Sequence, residues 1–159
     1  LKVIPLALMI AELKKINITA YYFSYFFKWS MLENYNYVKQ KMPKFKTNPN
    51  NRTKGTFTNF DSLDDKIDCL YYYMQYIKFG FGRATRDACR MIQNDQMSRL
   101  EAIDLARKFD HEFPSDDFEE VLEYLELNED EFEKIVNKHR NNEIWKTSLN
   151  NKWELINSI

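Results

Sequence analysis

Hydrophobic residues recur at steps of three and four along most of the chain, and this spacing predicts a mainly helical fold. The clearest stripe lies in the segment 62–81 and consists of Leu63, Ile67, Leu70, Met74, Ile77 and Phe81. Ser62 is placed to cap this helix, and Asp64 and Asp65 would lie in its first turn, where the helix dipole favours negative charge. One face of this central helix is therefore predicted to be core.

Two glycines and a group of cations follow the central helix. Gly80 and Gly82 permit backbone conformations that other residues resist, which predicts a sharp turn. Four cations lie within thirteen residues, with Asp87 as the only acid among them: Lys78, Arg83, Arg86 and Arg90. Thr85 is placed to cap a second helix over 85–94. Because guanidinium groups and helix N-termini both bind anions, this turn is a candidate anion site built on Lys78, Arg83 and Arg86.

Further helices are predicted where capping residues precede hydrophobic periodicity. Ser30 can cap a helix over 31–41, and the 98–101 segment has the Ser-x-x-Glu capping box of a helix that reaches about residue 108. Pro114 and Ser115 introduce another helix, and Asn128 and Glu131 are placed to form the capping box of the last one. A first short helix is expected over 6–15.

Two segments have β character. Asn17–Phe27 is rich in β-branched and aromatic residues and predicts a strand buried on both faces. Its partner strands would lie upstream, so an exposed apolar surface around 18–27 and self-association are expected. Trp145 and Trp153 flank a Leu-Asn-Asn turn and predict a small terminal hairpin. We therefore divide the chain into 1–61, the end of an α/β domain, and 62–159, a helical region.

Composition excludes several classes of protein. The chain has 159 residues, is 44% hydrophobic and 30% charged, and carries a net charge of −1, so it has no overall bias towards nucleic acid or membranes. Its opening apolar run is too short to span a bilayer. Cys69 and Cys89 belong to no C-x-x-C pair and are predicted to be buried free thiols, which fits a cytoplasmic location.

Charge is unevenly distributed. The loop around Pro43–Lys54 is basic; such loops are usually solvated, although this one could also lie over a phosphate-bearing substrate. The segment Phe109–Glu133 has twelve acids and no Lys or Arg, which indicates a solvated face, with a binding surface as the alternative. The acids Asp64, Asp65 and Asp68 could orient a sugar or bind a metal, and helix capping alone would also select them. His111 and His139 are predicted to lie on the surface, and no motif for a resident metal is present.

Three stretches resemble the C-terminal part of the N-acetyl sugar amidotransferases, which belong to the PP-loop ATP-pyrophosphatase superfamily. They are ITAYYFSYFFKWSMLENYNYV, SLDDKIDCLYYYMQYIKFGFGRATRDA and DHEFP, at 18–38, 62–88 and 110–114. The resemblance implies that this chain is the helical C-terminal region of an α/β enzyme whose nucleotide-binding sheet domain is missing from it.

The resemblance also implies an activity. Such an enzyme would use ATP and Mg²⁺ to convert a sugar acetamido group to an acetamidino group, with ammonia from a glutaminase partner, for LPS O-antigen or flagellin glycans. The substrate would be a nucleotide-linked N-acetyl sugar. The family's S-G-G-x-D-S loop, which would hold the pyrophosphate of ATP, is absent from this sequence. ATP would therefore be bound by the missing N-terminal part, and this chain is expected to be inactive alone.

Two groups of residues carry the resemblance. The K-F-G-x-G-R-A-T-x-D-A pattern is occupied by Lys78, Gly80, Gly82, Arg83, Thr85 and Asp87, and the D-D-K-I-D pattern by Asp64, Asp65, Lys66 and Asp68. The cations would hold a phosphate of the nucleotide-linked sugar or stabilise charge on an activated amide. The acids would orient hydroxyl groups or balance the cations.

The alternative is a non-catalytic helical interaction module, which would bind nucleic acid or protein through the basic loop Lys39–Lys54. Aromatic residues nearby could stack on bases: Tyr35, Tyr37, Phe45 and Phe57. The acidic second half of the chain argues against nucleic acid. A homo-oligomer is compatible with either interpretation.

Overall fold

A computed structural model describes residues 19–148 and 152–157, and it confirms a mainly helical fold with a small antiparallel hairpin near the C-terminus. The helices are α1 (Met31–Lys41), α2 (Asp68–Phe79), α3 (Arg83–Gln93), α4 (Arg99–Phe109), α5 (Phe118–Tyr124) and α6 (Glu129–His139). The strands are β1 (Trp145–Thr147) and β2 (Trp153–Leu155), with Trp145 opposite Leu155. The helix predicted over 6–15 lies outside the described residues. Within the described ranges, every helix falls short of the length and apolarity needed to cross a bilayer.

Three helices begin at the predicted caps. The Ser30 side chain accepts the Glu33 backbone N–H at 3.2 Å at the start of α1. Complete capping boxes, in which each side chain satisfies the other residue's backbone N–H, open α4 at Ser98 and α6 at Asn128. These signals were readable because each joins residues only three positions apart.

The core is built on one face of α2. Its buried residues come from α2, α5, α6 and β1, and they are Leu70, Ile77, Val121, Leu122, Phe132, Val136 and Trp145. Ile67 and Met74 pack against this cluster, as their place in the predicted stripe requires. Leu63 and Phe81 lie beyond the ends of the helix and are each 42% exposed, so the first and last members of the predicted stripe do not belong to the buried face.

The central helix starts later than predicted. Ser62 is not its cap: its φ is 53°, and α2 begins at Asp68. The Asp65 carboxylate accepts the Ile67 backbone N–H at 2.9 Å, a local turn that competes with helix formation. The acids of the D-D-K-I-D segment therefore occupy a turn in front of the helix, and only Asp68 belongs to its first turn.

Residues 19–27 do not form the predicted strand. They contain a one-turn 3₁₀ helix, Phe23–Tyr25, and all of them are exposed. Their rings contact one another, for example Phe23 stacked on Phe27 with centroids 4.8 Å apart. A strand needs a neighbour for its backbone groups, and without one the N–H groups of Tyr25 and Phe26 bond to carbonyls three residues back. The expected apolar surface is present over 19–27; self-association stays a prediction.

The terminal hairpin is attached to α2 through Trp145. This side chain is 5% exposed, and its indole Nε1 donates to the Ile77 carbonyl at 2.6 Å. The last carbonyls of a helix lack partners within the helix, so the indole satisfies one of them. The Arg140 guanidinium lies over the rings of Trp145 and Trp153, at 4.9 and 5.2 Å.

We predict that Trp145→Phe lowers the free energy of unfolding by about 2–3 kcal/mol, because it leaves the buried Ile77 carbonyl without its donor and removes part of a buried ring. Urea denaturation measures this. The matched control is Trp153→Phe, whose side chain is 37% exposed, and it should cost less than about 1 kcal/mol. Equal effects of the two substitutions would contradict the prediction.

Candidate functional site

Both glycines of the K-F-G-F-G turn allow close approach of other parts of the chain. Gly80 ends α2 with φ of 77°, and a Cβ there would lie 2.8 Å from Ile144 Cγ2. A Cβ on Gly82 would lie 2.8 Å from the backbone oxygen of Asp110. The hairpin and the segment after α4 therefore meet at this turn, which explains the two glycines by packing.

The N-terminus of α3 is occupied by a carboxylate of the chain itself. The helix begins at Arg83, and Thr85 is not its cap. Asp110, which is 8% exposed, accepts the Thr85 backbone N–H at 2.9 Å and also the Thr85 hydroxyl. A helix N-terminus favours an anion, and Asp110 supplies it from 25 residues away.

Arg83 is completely buried, and among the described residues its Nε and Nη1 have no hydrogen-bond partner. Its Nη2 donates to the Asp61 carbonyl at 2.9 Å, and its guanidinium lies 3.8 Å from the carboxylates of both Asp61 and Asp87. The group stacks over the Tyr72 ring at 5.0 Å. Asp87 is the one acid within the cation-rich segment itself, and Asp61, from the loop before α2, supplies a second carboxylate.

Arg86 completes the same network. Its Nε and Nη2 donate to Asp87 at 3.0 and 2.8 Å, its Nη2 donates to Asp61 at 2.6 Å, and its Nη1 contacts the Tyr72 hydroxyl. Burial by itself would lower the pKa of Arg86, but the Asp87 carboxylate raises it overall. Two guanidinium groups thus face two carboxylates. A direct role of Arg83 and Arg86 on substrate stays a prediction, and the Arg86 side chain is 20% exposed.

The basic loop folds back onto α3. Thr53 in the loop and Thr56 and Thr58 directly after it are buried, and the Thr53 N–H donates to the Thr58 carbonyl at 2.9 Å. The Thr56 hydroxyl donates to Asp87 at 2.7 Å. The end of the loop and the residues directly after it therefore belong to the interior, which their polar composition did not reveal.

A bidentate ion pair joins this loop to the end of α4. Both terminal nitrogens of Arg52 donate to the Glu112 carboxylate at 2.6 Å, and the Gly55 backbone N–H donates to it at 2.9 Å. The Arg52 guanidinium also lies 4.6 Å from the Phe109 ring centroid. Asp110 and Glu112 thus face inward, contrary to the prediction that the whole acidic segment is a solvated face.

The basic loop, the start of α2 and the segment after Pro114 enclose a cleft of about 330 Å³. Three lysines line it, namely Lys46, Lys54 and Lys66, together with three carboxylates, namely Asp65, Asp116 and Asp117. Lys66 bonds to Glu120 and lies 3.9 Å from Asp117, so it is paired. The two lysines of the basic loop thus face the carboxylates of the other walls across the cleft.

Residues 54–159 match the family described as LPS biosynthesis protein WbpG-like, C-terminal domain. The chain belongs to this family. Its role accordingly lies in the biosynthesis of LPS. No curated protein matches the chain.

In this WbpG-like domain the predicted site residues do not form one site. Asp65 lines the cleft, and Asp64 is exposed beside it. Asp68 begins α2, while Lys78 is exposed in the last turn of the same helix, with its ammonium 6.0 Å from the Phe79 ring. Arg83 and Arg86 form the internal network. Of the three cations proposed as one anion site, Arg83 and Arg86 therefore lie together in this network, and Lys78 is not part of it.

Sequence reasoning missed the acids that face the basic loop. Asp116 and Asp117 follow Pro114, and nothing in their spacing connects them to Lys46 and Lys54. A usable signal was that the basic loop and the acidic segment Phe109–Glu133 carry charge of opposite sign, because opposite charges tend to lie together.

The cysteines and histidines of the domain are distributed as follows. Cys69 lines the cleft, and burial raises the pKa of its thiol. Cys89 is exposed on α3, so the prediction of two buried thiols was wrong for this residue. His111 and His139 are exposed, as predicted.

We predict that Asp87→Asn lowers the free energy of unfolding by about 3–5 kcal/mol, because it leaves the guanidinium groups of Arg83 and Arg86 with Asp61 as their one shared carboxylate, and so with one buried charge uncompensated. Thermal and urea unfolding measure the loss. Asp104→Asn is the matched control: Asp104 is exposed on α4, and its substitution should change stability by less than about 0.5 kcal/mol. A loss below about 1 kcal/mol for Asp87→Asn would show that the network is not a buried ion-pair cluster.

The Arg52–Glu112 pair predicts a dependence of stability on pH. Burial alone would raise the pKa of Glu112, but hydrogen bonds from Arg52 and Gly55 lower it below its ordinary value. A carboxyl group whose pKa is lowered by folding adds stability above its unfolded pKa, and this stability is lost as the pH falls through the folded pKa. Between about pH 5 and pH 3, the parent should therefore lose more stability than Glu112→Gln. Urea denaturation at a series of pH values measures this, and free energies of unfolding that fall equally with pH in the parent and in Glu112→Gln would contradict the prediction. Glu133→Gln, on the exposed face of α6, is the control and should behave like the parent.

Proposed function

We propose that this chain is the substrate-binding C-terminal part of an ATP-dependent N-acetyl sugar amidotransferase of surface glycan biosynthesis. The observation that supports the proposal is the cleft of about 330 Å³, which is lined by residues of both the D-D-K-I-D segment and the basic loop. Membership of an LPS biosynthesis family supports it. The resemblance to the amidotransferases names the reaction, in which nitrogen from ammonia replaces the acetamido oxygen of the sugar.

The cleft suits a ligand that combines an anion with hydroxyl groups. Lys46 and Lys54 provide ammonium donors for a phosphate, since a lysine binds phosphate as a point charge. Asp65 and Asp116 provide acceptors for sugar hydroxyl groups. A nucleotide-linked N-acetyl sugar has both kinds of group, and holding it would orient the acetamido carbon for attack.

The described residues do not fit ATP and Mg²⁺. The glycine turn that could cradle a phosphate is filled by Asp110, and within 19–148 and 152–157 no group of three His, Cys, Asp or Glu residues could hold a metal ion. The proposal therefore assigns ATP and Mg²⁺ to a preceding region with the S-G-G-x-D-S loop. Ammonia would come from a glutaminase partner, and the work of this chain would be substrate binding.

The geometry does not favour the nucleic-acid alternative. Tyr35, one of the aromatic residues proposed to stack on bases, already stacks on Phe60 with centroids 4.5 Å apart. Lys46 and Lys54 line a cleft whose other walls carry three carboxylates, and not a groove of continuous positive charge that could follow a nucleic-acid backbone.

We predict that the chain binds UDP-N-acetylglucosamine, used as a probe, and that Lys46→Met or Lys54→Met weakens binding by about tenfold or more. A hydrogen bond to a charged group is worth about 1.5–3 kcal/mol, and 1.4 kcal/mol is a factor of ten in affinity. Titration calorimetry measures the dissociation constants.

The control is Lys134→Met, on the exposed face of α6, which should bind like the parent. Unchanged affinity in both cleft variants, or tighter salt-dependent binding of a single-stranded oligonucleotide than of the sugar nucleotide, would reverse the proposal.

A further inference from the structure

We infer that Glu112 is a positioning residue of the cleft: it holds the backbone at Lys54 so that the Lys54 ammonium is placed for the bound anion. This inference rests on the proposed function, because it concerns the same cleft. Glu112 itself does not line the cleft, whereas Lys54 does.

The contact that carries the inference is made at the peptide unit next to Lys54. The Gly55 N–H, which belongs to the Lys54–Gly55 peptide, donates to Glu112 at 2.9 Å. The same carboxylate receives both terminal nitrogens of Arg52, on the other side of Lys54, at 2.6 Å. One carboxylate therefore contacts the side chain of Arg52, two residues before Lys54, and the peptide N–H that directly follows Lys54.

Lys54 and Gly55 are the central residues of a turn that the Thr56 N–H closes on the Thr53 carbonyl at 3.2 Å, and Glu112 accepts the Gly55 N–H in the middle of this turn. Gly55 has φ of 79°, and open space surrounds the position that a Cβ would occupy, so side-chain packing does not hold this residue. Glycine also has the largest conformational freedom to lose on folding. The restraint comes from polar contacts instead: Glu112 on one side, and on the other Asp87, which accepts the Thr56 hydroxyl at 2.7 Å.

Glu112→Gln is the informative change. It keeps the size of the side chain, but its amide can offer only one oxygen to three donors, and its NH₂ group faces the donors of Arg52. The hydrophobic core around Ile77 and Phe132 does not include Glu112. We therefore expect a loosened loop in an otherwise folded protein.

The test is a double-mutant cycle on binding of UDP-N-acetylglucosamine by the whole chain, with Glu112→Gln, Lys54→Met and the double variant. If Glu112 acts through Lys54, Glu112→Gln alone weakens binding by about fivefold or more, and it adds less than about twofold in the Lys54→Met background. Independent losses that multiply in the double variant would overturn the inference. Glu133→Gln is the matched control and should leave the affinity unchanged.

A second readout separates positioning from a general loss of stability. Backbone hydrogen exchange at Gly55 should become at least tenfold faster in Glu112→Gln, while exchange within α2 stays at the rate of the parent. Unchanged exchange at Gly55 would overturn the inference. If Glu112→Gln does not fold, Arg52→Lys, which keeps the charge but loses the two-donor fork, replaces it in the same cycle.

The outcomes also distinguish this inference from the proposed function. Binding that is weakened by Lys54→Met and untouched by Glu112→Gln would overturn the positioning role alone. Absence of binding by the parent, or parent-like binding by Lys54→Met, would overturn the proposal that the cleft binds a nucleotide-linked sugar, and this inference with it.

Discussion

The burial of the Arg83 guanidinium is the constraint on which the rest of the structure depends. An arginine cannot lose its proton in a protein, so a completely buried one requires carboxylates nearby. Asp87 lies one turn further along α3, and Asp61 comes from the loop before α2. The need to neutralise this charge therefore fixes where the loop returns, and the loop forms one wall of the cleft.

The same principle accounts for the short D-H-E-F-P segment. Its two acids point in different directions: Asp110 occupies the N-terminus of α3, and Glu112 receives Arg52 and Gly55. Each carboxylate satisfies donors that would otherwise be left without partners. A segment that resembles a family motif thus works here as a pair of structural contacts between distant parts of the chain.

Two groups of cationic side chains in this chain differ in their surroundings. The guanidinium groups of Arg83 and Arg86 are balanced inside the fold, where planar two-donor groups suit fixed carboxylates. The ammonium groups of Lys46 and Lys54 remain at the cleft, where a flexible point charge can meet a ligand. The arginines of the K-F-G-x-G-R-A-T-x-D-A pattern therefore stabilise the fold through internal ion pairs. The proposed contacts to substrate come from the basic loop.

The sequence by itself determined the elements whose signals are local. The capping boxes at Ser98 and Asn128 join residues three apart, and the apolar stripe of α2 repeats within a helical turn, so both were predictable. Only the tertiary structure decided the pairing of Arg83 with Asp61 and the contact of Asp110 with the N-terminus of α3. Their carboxylates lie 22 and 25 residues away, and no spacing rule connects such positions. Residues 19–27 differ from their strand prediction for the same reason, since a strand is completed only by a neighbour that the local sequence does not contain.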